Sequence, residues 1–314
     1  MYYLIYHLFG KDNNQMKSEL LYSLFSFDKV TGENNKQNIL ILIYTDVKFD
    51  LPNSLGKLRI KFQYLDEKDV QHEILRANGC HFIIKAIIIA EFLQTFKSYG
   101  IFIDTDTFFT RDPIPLFRSV AEGFLLMHVN EYPISQSPNV YSYFKREIFK
   151  NTEGADYSVK PDFDMWNAGV IGISPTYEKY LPEIICLIRQ MAFNEELIPA
   201  VKRLIEQISF SYYLQKHPDK LLPSDEYIFH YWFFKETRYL LGNHFNYFYG
   251  SDYSEFINLL NDNNIKLHDL NDIPYEGFPF LIFRMLRKHG ELNDYHYKSL
   301  PPSSTIGKIL RSAQ

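Results

Sequence analysis

The chain has 314 residues and a mass of 37.3 kDa, with 46% hydrophobic and 23% charged residues, a globular balance that excludes a disordered polymer and a mini-protein. Its 38 acidic and 33 basic residues leave a net charge of −5, so the overall charge carries no nucleic-acid footprint and no nucleic-acid partner is expected. Aromatic residues are the unusual feature at 17% of the chain, with 27 Phe and 24 Tyr.

Met1 to Phe9 is apolar but lacks a basic leader and a small-residue cleavage site, so Tyr2–Leu8 is expected to be a buried strand rather than a signal peptide. A helix is expected near Met16–Phe27, followed by a β-branched strand over Ile39–Tyr44 and a shorter strand over Leu58–Tyr64. Between Ile83 and Tyr99 apolar residues fall at 84, 87, 88, 92, 96 and 99, which is helical spacing, and Gly100 is expected to stop that helix before the strand Ile101–Ile103. Phe124–Val129 and Val170–Ser174 supply two further strands. The aromatic, polar stretch Asn130–Met165 between them reads as a long surface excursion. Tyr177–Met191 and Val201–Tyr212 are expected to be amphipathic helices.

Continuous apolar strands alternating with helices predict an α/β fold, a mostly parallel sheet covered on both faces. Cys80 and Cys186 are 106 residues apart, match no metal-site spacing, and are expected to be reduced buried thiols of a cytoplasmic protein. No run reaches the roughly 18 apolar residues of a membrane span. From Phe278 onward six basic residues oppose two acidic ones, a net +4 that leaves −9 on the preceding body. That basic, aromatic tail is a candidate for peripheral docking on anionic lipid, and a body over residues 1–245 with a helical extension over 246–314 is expected.

The segment Ile101-Phe102-Ile103-Asp104-Thr105-Asp106-Thr107 carries the most chemistry. Two carboxylates spaced i, i+2 directly after a buried strand emerge at the carboxyl edge of the sheet, where open α/β sheets bind ligands. There they can hold a divalent cation that neutralises a diphosphate. An ordered set surrounds them: Lys85 lies 19 residues upstream, and downstream come Asn167-Ala168-Gly169, Glu206-Gln207, His230-Tyr231-Trp232 and Lys235. The densest aromatic stretch, Tyr227–Tyr253 with 12 aromatics in 27 residues, surrounds His230 and is expected, with Asn130–Met165, to flank a pocket.

Over roughly residues 1 to 240 this ordered set resembles the nucleotide-sugar-dependent glycosyltransferases of the GT-A fold. It is most similar to the retaining glycogenin and lipopolysaccharide galactosyltransferase group. The resemblance implies a Rossmann-like fold and metal-dependent, retaining transfer from a nucleoside diphosphate sugar, most simply a UDP-sugar, to a glycan or lipid-linked acceptor, as in polysaccharide biosynthesis. It implies Mn²⁺ or Mg²⁺ held by Asp104, Asp106 and His230. It implies donor contacts from Lys85, Asp104, Thr105, Asn167, Ala168, Gly169 and Lys235, and base contacts from His7 and Asp46. Glu206 and Gln207 would act at the reacting face of the sugar.

The sequence departs from that pattern where His230 is followed by Tyr-Trp-Phe-Phe-Lys rather than Gly and Lys-Pro-Trp, and where Glu206 replaces Asp. Two other readings of the residues stay open. Asp104-Thr105-Asp106-Thr107 also fits the nucleophile motif of haloacid-dehalogenase-type phosphatases. The scaffold can also serve as a non-catalytic carbohydrate-binding protein.

Overall fold

A computed structural model describes residues 1–10, 14–48, 50–230 and 232 of the chain. Lys235, the boundary at 245/246, the basic tail and most of the aromatic stretch Tyr227–Tyr253 lie outside the described residues.

The first half alternates strand and helix. β1 (Tyr2–Leu8) leads to α1 (Asn14–Val30), α2 (Glu33–Lys36), β2 (Ile39–Thr45), β3 (Ile60–Tyr64), α3 (Glu67–Leu75), α4 (Ile83–Phe96), β4 (Gly100–Ile103), β5 (Thr107–Phe109) and α5 (Ile114–Ala121). The second half holds β6 (Leu125–Met127), β7 (Asn130–Pro133), α6 (Pro138–Arg146), β8 (Phe149–Lys150), β9 (Asp156–Tyr157), β10 (Asp164–Trp166) and β11 (Val170–Ile173). It continues through α7 (Tyr180–Phe193), α8 (Pro199–Lys202), α9 (Ile205–Leu214), β12 (Leu221–Pro223) and β13 (Ile228–His230).

Seven strands form one sheet in the order β12-β6-β11-β4-β1-β2-β3, parallel throughout except for β11, which runs against β4 and β6. The alternation of side chains along β1 divides the core. Leu4, Tyr6 and Leu8 face α1 and α5, whereas Ile5 faces α4 with Leu42 and Phe102. α4 is buried over most of its circumference, from Ile83 and Ile84 through Ile88, Ile89 and Phe92, because the sheet lies on one side and α7 on another. Each such side chain contributes roughly 1.5–3 kcal/mol through burial, so helix packing rather than intrinsic propensity holds this face together.

Four expectations need correction. α4 ends at Phe96 and is capped by Lys97, which takes the left-handed conformation (φ 47°), while Gly100 begins β4. Glycine is required there for packing: a Cβ on residue 100 would lie 2.8 Å from the Phe92 ring. The segment Asn130–Met165 is no loose excursion, since it holds short helices and antiparallel strand pairs whose Val140, Tyr143, Phe144, Phe149, Val159 and Phe163 join the core. α9 is buried nearly all round instead of amphipathic, with Glu206 and Ser209 among its enclosed residues. Cys80 and Cys186 are free thiols but only half-buried.

Candidate functional site

The carboxyl ends of the parallel strands β1, β2 and β4 converge on one edge, and the chemistry gathers there. After β4 the chain turns sharply. The Asp104 N–H donates to the Gly169 carbonyl at 2.9 Å, and the Thr107 hydroxyl donates to the Asp104 carbonyl at 2.7 Å. β5 then pairs antiparallel with β13, which sets His230 opposite Thr107. Residues 124 positions apart thereby meet: His230 Nε2 stands 3.1 Å from Asp106 Oδ1 and 3.9 Å from Asp104 Oδ2.

α1 braces this turn from the other face of the sheet. The Thr105 hydroxyl donates to Glu19 Oε2 at 3.3 Å. Ser23 Oγ lies 2.9 Å from the Tyr6 hydroxyl and 3.3 Å from that of Thr107, and Ser26 Oγ accepts the Phe109 N–H at 2.9 Å. Ser23 is fully buried and Glu19 is 1% exposed, so the polar face of α1 serves the turn rather than solvent.

One ligand atom each from Asp104, Asp106 and His230 fit within 4.8 Å of one another, the only such cluster of three or more among the described residues. Two carboxylates with an imidazole suit Mn²⁺ or Mg²⁺, the nitrogen donor favouring Mn²⁺. The charge balance also fits a cation. Lys85 Nζ, on the first turn of α4, lies 3.0 Å from both Asp104 Oδ2 and Glu206 Oε1 and donates to the Ala168 carbonyl at 2.9 Å. With Asp106 this makes three carboxylates against one ammonium, a net −2 when all are ionised, which one divalent cation offsets.

Burial pushes the carboxyls of Glu206 and Asp104 above the usual carboxylate range, and the Lys85 ammonium pulls both back. Burial also opposes the charge on Lys85 itself, but Asp104 and Glu206 outweigh it and hold the ammonium above its ordinary value. Lys85, 8% exposed, is therefore a buried counter-ion beneath the site.

Among the other residues named from the sequence, Asp46 Oδ1 accepts the Gly10 N–H at 3.0 Å and fixes the chain after β1. His7 lies one residue before the end of β1 with its Nε2 enclosed and without a hydrogen-bond partner, and burial, with Lys85 adding, lowers its pKa to about 4. Thr105 turns its hydroxyl inward to Glu19, and Ala168 offers its carbonyl to Lys85. Asn167 and Gly169 pack against His230. Gln207 is half-buried, and its Nε2 donates to Glu131 Oε2 at 2.7 Å.

The sequence reading missed Glu131 and Glu19. Glu131 lies inside the short strand β7, and nothing local marks it until its partners Gln207 of α9 and Asn167 between β10 and β11 are known. α9 presents Glu206 and Gln207 because its other end is stapled to β10. The Trp166 N–H donates to Ser211 Oγ at 3.0 Å, and Gln215 bonds both the Asp164 N–H and its carbonyl. His128 is a core histidine, donating Nε2–H to the Ile228 carbonyl at 2.9 Å; burial, with His230 adding, lowers its pKa to about 3.

No family model and no curated protein matches the sequence. Among solved structures, the chain is similar to mouse xyloside xylosyltransferase 1 in its apo form, with 12% identity and a TM-score of 0.42 over 71% of this chain and 85% of that one. It is similar to the apo structure of the bifunctional glycosyltransferase WbbM, with 13% identity and a TM-score of 0.40 over 71% of this chain and 38% of that one. It is also similar to an active-site mutant of LgtC, with 12% identity and a TM-score of 0.44 over 66% of this chain and 69% of that one.

Proposed function

We propose that this chain is a glycosyltransferase that moves a sugar, with retention, from a nucleoside diphosphate donor to a hydroxyl of a glycan or lipid-linked acceptor. The donor is taken to be a UDP-sugar. The observation that carries this reading is the Asp104–Asp106–His230 cluster at the carboxyl edge of the parallel strands, linked through Asn167 and Glu131 to the half-buried Gln207.

Asp104, Asp106 and His230 would hold the cation. When bound, it supplies positive charge against the negative charge that grows on the departing diphosphate. The chain's own groups do the rest. Lys85 opposes the protonation that burial favours at Asp104. Gln207, whose Nε2 is anchored to Glu131, is proposed as the dipole that favours an oxocarbenium-like sugar. Glu206 is committed to Lys85 and holds it in place. Lys235 is proposed as a further counter-charge to the diphosphate, and His7 and Asp46 as the floor beneath the base.

A phosphatase of the haloacid-dehalogenase type needs further carboxylates beside the nucleophile. Among the described residues the third member of the cluster is an imidazole, and Glu206 reaches Asp104 only through Lys85. Transfer is therefore the better-supported reading.

Asp106→Asn removes one of two anionic ligands while keeping the shape of the side chain. It is expected to reduce Mn²⁺-dependent UDP release from a UDP-sugar by at least about 10²-fold, read in a coupled UDP assay. Undiminished turnover would remove Asp106 from the reaction.

No described helix is long and apolar enough to cross a membrane. The +4 segment 278–314 is proposed to supply peripheral contact with the cytoplasmic face of a membrane. The full chain should float with vesicles containing phosphatidylglycerol and lose that binding when 278–314 is deleted; equal flotation of both would end the idea.

A further inference from the structure

The Asn167 side chain, 2% exposed, touches the cation cluster through His230. Its Oδ1 accepts the Gly169 N–H at 2.9 Å, and its Nδ2 donates to Glu131 Oε1 at 3.0 Å, so the two ends of the amide are distinguished twice over. The same Oδ1 lies 2.8 Å from His230 Nδ1. A carbonyl oxygen only accepts, so Nδ1 must carry a proton. In the neutral ring the lone pair is then left on Nε2, which faces Asp106 and Asp104 across 3.1 and 3.9 Å, a gap between acceptors that a cation or a second proton must bridge. Only that tautomer lets the imidazole ligate a cation at the cluster.

We infer that Glu131 and Asn167 form a positioning relay for His230: a carboxylate holds an amide, and the amide holds the imidazole with Nε2 turned to the cation. Metal-binding histidines are usually fixed through their second nitrogen by a carboxylate, a carbonyl or water. Here the side-chain carbonyl of Asn167 takes that place, with Glu131 behind it. The other oxygen of Glu131 receives Gln207, so one carboxylate ties the group at the proposed sugar face to the ligand of the proposed cation. The amide of Asn167 is thus engaged within the protein and acts through His230. Gly169 completes the device, since a Cβ there would lie 2.1 Å from His230 Nδ1. The role of the relay rests on the cation reading above, but the tautomer it imposes does not.

The test uses the full chain labelled with ¹⁵N-histidine, with His230 assigned by comparison with His230→Gln. Long-range ¹H–¹⁵N correlation of the metal-free protein reads the tautomer, and electron paramagnetic resonance titration reads Mn²⁺ affinity. Wild type is expected to carry the proton on Nδ1. Asn167→Leu, which keeps the volume but removes the acceptor, is expected to lose that preference and weaken Mn²⁺ binding by about 10- to 100-fold. Asn167→Asp combined with Glu131→Gln reverses the polarity of the pair but keeps an acceptor toward Nδ1. It is expected to restore both the tautomer and near-wild-type affinity, which a merely space-filling role for residue 167 would not produce.

A wild-type ring with Nδ1 unprotonated overturns the relay, as does Asn167→Leu with unchanged tautomer and Mn²⁺ affinity. A wild-type protein with the Nδ1 proton but no Mn²⁺ binding supports the imposed tautomer and overturns the cation reading instead.

Discussion

Gly169→Ala is expected to abolish cation binding while leaving the sheet folded. An ideal Cβ at this position would lie 2.1 Å from His230 Nδ1 and 2.4 Å from Cε1, far inside van der Waals contact. The ring has little room to yield. β13 is paired to β5 with His230 opposite Thr107, and Nδ1 and Nε2 sit against Asn167 and Asp106. The backbone of residue 169 is pinned as well, its N–H on Asn167 and its carbonyl on Asp104. Overpacking of this kind costs about 1–3 kcal/mol, well below what unfolds a domain of this size. The larger effect is displacement of one of three ligands, and a misplacement of about 1 Å can cost 10²-fold in rate. Mn²⁺ titration and far-ultraviolet circular dichroism of the same preparation check this. A folded Gly169→Ala protein with wild-type Mn²⁺ affinity would show that His230 is not a ligand.

Lys85→Met is expected to be the most destabilising single change in the site. Lys85 lies between Asp104 and Glu206, whose side chains are 28% and 7% exposed. Removing the ammonium leaves two carboxylates facing one another with Asp106 close by. Breaking a buried ion pair from one side costs about 3–5 kcal/mol because the remaining charge is uncompensated.

The loss should depend on pH in a defined direction. Burial already raises Glu206 and Asp104, and without Lys85 nothing of comparable strength lowers them. A carboxyl whose folded-state pKa lies above its unfolded value contributes fully below the unfolded value, and that contribution is lost as pH rises through the folded one. The deficit of Lys85→Met relative to wild type should therefore be smaller at pH 5 than at pH 8, measured by urea unfolding. Adding Glu206→Gln should recover part of it. A deficit independent of pH would mean that Lys85 acts through packing alone.

Much of the fold is legible in the sequence because its central strands are largely buried and therefore carry continuous apolar runs. β1, β2 and β4 read directly as Tyr-Leu-Ile-Tyr, Ile-Leu-Ile-Leu-Ile and Ile-Phe-Ile. The segment between Asn130 and Met165 is harder to read. Its strands are two to four residues long, and its aromatics are buried by α7 and α9, which lie far along the chain. Local spacing carries no trace of such packing. The end of α4 is hard to read for a related reason. Lys97 takes a backbone conformation that glycine usually takes, while Gly100 answers to the Phe92 ring.

In the site, Asp104 and Asp106 stand out because two acids end an apolar strand. Lys85, Glu206 and Asn167 stand out only through their order along the chain. Their partners do not: that Lys85 neutralises two carboxylates, or that Glu131 joins Gln207 to Asn167, depends on four elements meeting at one edge. α1 is the clearest case. Glu19, Ser23 and Ser26 look like an ordinary polar stripe, and only the packing of α1 on the turn after β4 reveals what they hold.

Calorimetric titration of UDP reads the proposed cation bridge between this edge and a diphosphate. Wild-type protein should bind UDP with Mn²⁺ present and bind it at least about tenfold more weakly with chelator, the minimum that removing the charge opposite a diphosphate should cost. Asp106→Asn should bind UDP equally weakly in both conditions. Equal affinity of the wild-type protein with Mn²⁺ and with chelator would mean that no cation bridges the site and the diphosphate.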